Sequence, residues 1–217
     1  MKAKKMIVPI LMGALMAFAI LPMTAGTAHA TDYFDLQVGV TQVTSNNALS
    51  IPGVGGGTAS YDAESKTLTL NGVTIPGENF WGILSEIPDL TIEVHGENKV
   101  SGQDIGILSS HNFTITGDGS LQAKGSDNGI VSDGGVTIKD AIVTATATGN
   151  DNIGIEASGE IKIEGRSKVQ AQGTAYAIRS HSGQITLGAA AAADDNFTIT
   201  LKTGDAPAET IIVTVTP

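Results

Sequence analysis

The chain has no cysteine, so neither disulfides nor thiolate-metal sites staple it, and burial and hydrogen bonding must hold the fold alone. Aromatic residues are only 4% of its 217 residues, too few for a core built on large rings. Basic residues are scarce, twelve Lys and Arg against twenty-two Asp and Glu. Such a surface repels nucleic acid and anionic lipid. Beyond residue 30 no long apolar run and no helical apolar period occurs, which argues against helix bundles and further membrane helices. What is abundant is glycine, 27 residues, with Thr, Val and Ile recurring throughout. That is the composition of many short strands joined by tight turns.

The first thirty residues separate from the rest. Lys2, Lys4 and Lys5 precede an apolar run from Met6 to Pro22, which closes in Ala28-His29-Ala30. This pattern predicts an export signal cleaved before Thr31. A retained anchor is the lesser reading, because the apolar run is short for a stable span and ends in a clean cleavage site. Cleavage leaves 187 residues carrying nine cations and twenty-two anions, a net charge of about −13. The expected location is extracellular, secreted or held at the cell surface, with no stable membrane insertion after cleavage. No sorting motif or cell-wall repeat follows, so no covalent tether is expected.

Self-similarity organises what remains. One unit reads Leu68-Thr69-Leu70, Leu90-Thr91-Ile92, Phe113-Thr114-Ile115, Val136-Thr137-Ile138, Ile161-Lys162-Ile163 and Ile185-Thr186-Leu187, at spacings of 22, 23, 23, 25 and 24. A second keeps step with it: Gly82-Ile83, Gly106-Ile107, Gly129-Ile130, Gly154-Ile155 and Ala177-Ile178. A fainter third is Val100, Leu121, Val143 and Val169. Three strands per interval of roughly 23 residues is what one coil of a parallel β-helix needs to close on itself. A leucine-rich horseshoe has a similar period but requires a Leu/Asn signature that is missing.

The expected fold is therefore all-β: a right-handed single-stranded parallel β-helix, three strands per coil, about six coils, capped at both ends. Residues 31–58 read as an N-terminal cap and linker, 59–187 as the β-helix, and 188–217 as a C-terminal cap, a hairpin of Phe197–Leu201 with Ile211–Val215. Alternation points the central Thr of the first unit outward in a column. It buries Ser85, Ser109, Ser132 and Ser180 as a hydroxyl ladder donating from rung to rung. Leu84, Leu108 and Val131 face outward, and the N-terminal segment is expected to cover them.

Candidate chemistry lies at a few positions. Asp104, Asp127 and Asp151 recur before the Gly-Ile unit and are the candidate Ca²⁺ ligands, although the same residues suit tight turns. No other cofactor is expected. His95, His111 and His181 are too far apart along the coils to share a zinc ion. No serine sits in a strained nucleophile turn beside a base. Charges along the first-unit strands alternate as register-keeping pairs and do not gather as a catalytic carboxylate pair. Phe80-Trp81 is the only adjacent aromatic pair, able to stack on sugar faces or to cap the apolar end, and Tyr61 is placed on the neighbouring edge.

The runs Tyr61-Asp-Ala-Glu-Ser-Lys-Thr-Leu-Thr-Leu-Asn-Gly, Asp89-Leu-Thr-Ile-Glu-Val-His-Gly-Glu-Asn, Phe113-Thr-Ile-Thr-Gly-Asp-Gly-Ser-Leu and Gly125-Ser-Asp-Asn-Gly-Ile resemble a family of secreted bacterial carbohydrate-binding β-helix proteins. That family is common in clostridia and other Firmicutes and distantly similar in fold to pectate lyases. The resemblance covers about residues 59 to 187 and implies polysaccharide binding, with bound calcium but no established catalysis. Family members usually carry more coils and further anchoring modules than are seen here. The expected function is non-catalytic recognition of polysaccharide on an outer face, with Trp81, Phe80, Tyr61, Thr91, Thr114, Thr137, Gln122 and Gln170 as binding residues. The alternative is an adhesin-like module with a protein partner. A polysaccharide lyase ranks third.

Overall fold

A computed structural model describes residues 31–188 together with strands Thr198–Thr203 and Val215–Thr216. The expected export signal and the alanine run after Gly188 lie outside the described residues. No helix occurs among the described residues, so none there is long and apolar enough to cross a membrane. The described chain is a β-solenoid of stacked parallel coils.

An N-terminal segment supplies β1 (Tyr33–Val38), β2 (Thr41–Thr44) and β3 (Thr58–Asp62). The coils follow, each of three strands: β4 (Thr67–Asn71), β5 (Thr74–Ile75) and β6 (Trp81–Ser85); β7 (Leu90–His95), β8 (Glu97–Ser101) and β9 (Ile105–Ser109); β10 (Phe113–Thr116), β11 (Ser120–Gly125) and β12 (Asn128–Ser132); β13 (Val136–Lys139), β14 (Ile142–Ala147) and β15 (Ile153–Ala157); β16 (Ile161–Glu164), β17 (Lys168–Gly173) and β18 (Tyr176–Ser180). A sixth coil begins with β19 (Ile185–Gly188), followed by β20 (Thr198–Thr203) and β21 (Val215–Thr216). Among the described residues five coils are thus complete and a sixth is begun, close to the expected six.

Successive first, second and third strands of the coils pair in parallel to form sheets I, II and III. Inward side chains stack rung on rung. In sheet I, Leu68, Ile92, Ile115, Ile138, Ile163 and Leu187 form one such column, each 2% exposed or less. Each fully buried aliphatic side chain of this kind stabilises by roughly 1.5–3 kcal/mol. Identical neighbours fix the register, since a one-residue slip would turn the whole column outward.

Two registers differ from the simple alignment of motifs. Leu68, not Leu70, pairs with Ile92, so Thr67 and not Thr69 heads the outward Thr column. A two-residue shift preserves inside and outside, which is why alternation alone could not detect it. In sheet II, Asn98 and not Val100 stands beside Leu121. Asn98 is fully buried. Its Oδ1 accepts from Val73 N at 3.1 Å, while its Nδ2 donates to the carbonyls of His95 at 2.9 Å and Ser120 at 3.2 Å. It therefore binds together the turns of three successive coils.

Ser85, Ser109 and Ser132 are interior as expected and Ser180 is only half-buried, but these serines do not hydrogen-bond to one another. Ser132 Oγ donates to the carbonyl of His111 at 2.8 Å and accepts from Gly134 N at 3.1 Å. Ser109 Oγ likewise donates to the His111 carbonyl at 2.9 Å, and Ser180 Oγ to that of Gly159 at 2.8 Å. Ser85, Ser109 and Ser132 each accept from the turn that follows their own strand, while Ser132 and Ser180 reach a carbonyl in the turn of the preceding coil, because the backbone groups there have no ladder partner and lie closer than the next serine.

At the N-terminal end every sheet is closed by antiparallel pairing. β1 and β2 form a hairpin whose β1 lies along β6, β3 lies along β4, and Gly55 bridges Thr74 at the edge of sheet II. This satisfies edge groups that a bare end would leave open to another chain. Val43, Ala48, Ile51, Ala59 and Tyr61 are buried in the cap. The N-terminal segment thus extends the sheets edge to edge and does not lie over Leu84, Leu108 and Val131, which stay half-buried. At the other end, β20 pairs in parallel with β17 and β21 with β19. Residues 204–214, which include most of the second strand of the expected hairpin, lie outside the described residues.

Candidate functional site

Sheet III carries Trp81 at the start of β6, with Phe80 directly before it. Its strands do not alternate simply: β6, β9 and β12 each bury two consecutive residues, the Gly and the Ile, between outward neighbours. Glycine is required because the strand folds in toward sheet II there. A Cβ on Gly106 would stand 2.5 Å from the carbonyl oxygen of Gly129 and 2.6 Å from Lys124 N. The bend turns the residues on both sides outward, in two columns. One runs Trp81, Ile105, Asn128, Ile153 and Tyr176, in which Ile153 is covered and buried, and the other Leu84, Leu108, Val131, Glu156 and Arg179.

The face divides along the rod. At its N-terminal end the Phe80 and Trp81 rings lie 6.1 Å apart and tilted by 54°, with Phe80 56% exposed. Ile105, Leu84, Leu108 and Val131 continue from them as a half-buried apolar strip. The C-terminal end is polar. Glu156 Oε1 lies 2.7 Å from His181 Nε2, and its Oε2 accepts from Asn128 Nδ2 at 2.8 Å. The Arg179 guanidinium lies over the Tyr176 ring at 5.2 Å, and Tyr176 is 46% exposed. Trp81 and Tyr176 hold the same column four rungs apart, about 19 Å at the usual strand spacing.

The other candidates are dispersed. Thr91, Thr114 and Thr137 form an outward column on sheet I between Thr67 and Lys162. Gln122 and Gln170 are exposed on sheet II, in a column with Lys99 and Thr144. No single sheet therefore carries both sets, and three faces of the solenoid share the expected binding residues. Tyr61 is 4% exposed and packs edge-on against Phe34 at 5.1 Å. It belongs to the cap and offers no ring to a ligand. Burial, and then the charge of Asp62, raises its phenol pKa.

Asp104 and Asp127 lie on successive rungs, Asp127 N donating to the Asp104 carbonyl at 2.8 Å. Asp151 does not continue the column. The pairing of Asn128 with Ile153 places Asn152 on that rung, while Asp151 takes a left-handed turn conformation at φ 55°. Asn152 is buried and binds Ser126, Gly149 and Thr174. Among the described residues no three carboxylate or imidazole groups converge as a metal site would require.

His95 on sheet I is engaged with two acidic neighbours. His95 Nδ1 lies 2.6 Å from Asp118 and its Nε2 3.5 Å from Glu93. The Asp118 hydrogen bond foremost, with both acidic charges, raises the imidazole pKa, and the same contact lowers that of Asp118. Opposite ring nitrogens meet the two carboxylates, an arrangement that cannot enclose one ion. Asp62 is lowered chiefly by the Ser65 hydroxyl and the Glu64 amide.

Sequence reasoning did not assemble Asn128, Glu156, His181, Tyr176 and Arg179. The available signal was that Trp81, Ile105, Asn128, Ile153 and Tyr176 each directly precede the small residue of the second unit. Comparison with protein-family models, curated proteins and solved structures returned no match. The fold defines the class of protein, a parallel β-solenoid, and the resemblance holds at the level of the β-helix fold.

Proposed function

We propose that this protein binds polysaccharide without transforming it, through the outer face of sheet III, in the extracellular space to which its first thirty residues direct it. One observation carries the reading: aromatic residues occupy both ends of a single outward column, Trp81 with Phe80 at one and Tyr176 with Arg179 at the other. A glycan laid along the rod meets a ring at each end and, between them, an apolar strip giving way to Asn128, Glu156 and His181. Rings match the apolar faces of sugars, and the polar cluster matches their hydroxyl edges. Rungs repeat at about 4.8 Å, so a polymer of similar pitch finds like contacts on successive coils. The half-buried Glu156, held between His181 and Asn128, supports a binding role for this face by fixing a polar cluster in place.

Affinity electrophoresis in gels cast with cell-wall and plant polysaccharides tests this. At least one should retard the protein, and Trp81→Ala and Tyr176→Ala should each weaken retention about tenfold, the worth of one stacked ring. Free migration in every gel, or full retention in both variants, would remove the reading. A protein partner docked on Leu84, Leu108 and Val131 is the second reading, favoured by the exposure of that column. Capture that survives periodate oxidation of the target surface but not its proteolysis would select it. Release of unsaturated product from pectin would select a lyase.

A further inference from the structure

The residues just before β7, β10, β13, β16 and β19 of sheet I follow one another from rung to rung: Asp89, Asn112, Gly135, Glu160 and Gln184. Gly135 has no side chain, and over it lies a depression of about 330 Å³ bordered by Asp89, Asn112, Thr114, Thr137, Glu160 and Lys162. The gap is imposed by the stacking, since a Cβ on Gly135 would stand 2.8 Å from the carbonyl oxygen of Glu160. Its walls are held in place. Asn112 Oδ1 accepts from Gly135 N at 2.7 Å, which leaves the amide Nδ2 to serve a ligand. Glu160 Oε1 accepts from Thr186 Oγ1 at 2.5 Å, and its Oε2 lies 3.3 Å from Lys162 Nζ. The Thr186 hydrogen bond and then the Lys162 charge lower the Glu160 pKa, so the notch presents a carboxylate.

We propose that this notch over Gly135 is a second binding site, which takes one pyranose ring of a neutral sugar by its hydroxyl edge. Each sugar hydroxyl both donates and accepts. Here a carboxylate that accepts stands beside an ammonium, an amide NH₂ and two threonine hydroxyls that donate, the pairing that adjacent ring hydroxyls satisfy. The one aromatic residue of the walls, Phe113, is only 2% exposed and offers no stacking face, so the ring is held edge-on. Asp89 and Glu160 disfavour anionic sugars. The volume falls at the small end of the range for ligand pockets, enough for a single unit and not for a chain. Sheet I and sheet III are different sides of the coil, so the notch acts independently of the aromatic face.

NMR titration of the isotope-labelled full chain with D-glucose, D-galactose and D-mannose tests the proposal, because free monosaccharides require no polymer binding on sheet III. At least one sugar should give saturable shifts confined to the amides of Asn112, Gly135, Glu160 and their neighbours. Thr137→Val keeps the β-branched shape and removes one hydroxyl, and should weaken binding about fivefold, as should Asn112→Ala. Thr137→Phe fills the notch and should abolish it, while Trp81→Ala should leave it unchanged. Absence of saturable shifts with all three sugars, or binding that persists in Thr137→Phe, would overturn the assignment. So would shifts of the same amides with Ca²⁺ alone.

Discussion

Single side chains decide how the coils are joined. Asn98 stands where Leu121, Val143 and Val169 stand on later rungs, so stacking alone would favour leucine there. Asn98→Leu should instead destabilise by about 2 kcal/mol, because Val73 N and the carbonyls of His95 and Ser120 lose a partner without reaching water. Urea unfolding measures it, and an unchanged midpoint would show that the apolar column dominates. His95 sets a pH dependence. Its pKa is raised above the usual 6.5 by Asp118 and Glu93, so its contribution is complete below the unfolded value and is lost as pH rises through the folded one. Asp118 is lowered, so its contribution is lost at the acid end, as pH falls through its folded value. The pair is therefore strongest between the two titrations. The His95 imidazole should titrate at higher pH than a free histidine by NMR and return toward it in Asp118→Asn.

At the scale of strands, the bend at the Gly-Ile unit creates the two outward columns of sheet III. Gly106→Ala should cost about 2 kcal/mol, as a methyl group forced against the next rung must push strands apart. Equal stability of this variant would mean the bend is not set by that close approach. The turns before these strands bear on calcium. Asp104 and Asp127 are joined through backbone, and Asn152 takes the third rung in place of an acid. Thermal unfolding with a chelator should overlay that with Ca²⁺ added; a higher midpoint with Ca²⁺ would reveal a site these turns do not display.

Across the whole molecule, the solenoid presents three outer faces around one shared core. Two facts were fixed by the amino-acid order itself. The interval of roughly 23 residues, with apolar residues on either side of Thr, compels short parallel strands to stack, because only stacking buries Leu68, Ile92, Ile115, Ile138 and Ile163 together. The alternation likewise assigns Ser109 and Ser132 to the interior. Four matters were settled by tertiary structure. A slip of two residues leaves alternation intact, so the neighbours of Thr67 and Asn98 depended on how the first coil closes. The antiparallel cap depended on which open edges needed partners, and Tyr61 went into it. Thr91 and Gln122 fall on different sheets because a turn separates their strands. Glu156 meets His181 and Asn128 only because residues 25 and 28 positions apart come to adjacent rungs, a nearness that the sequence encodes as period and that coiling converts into contact.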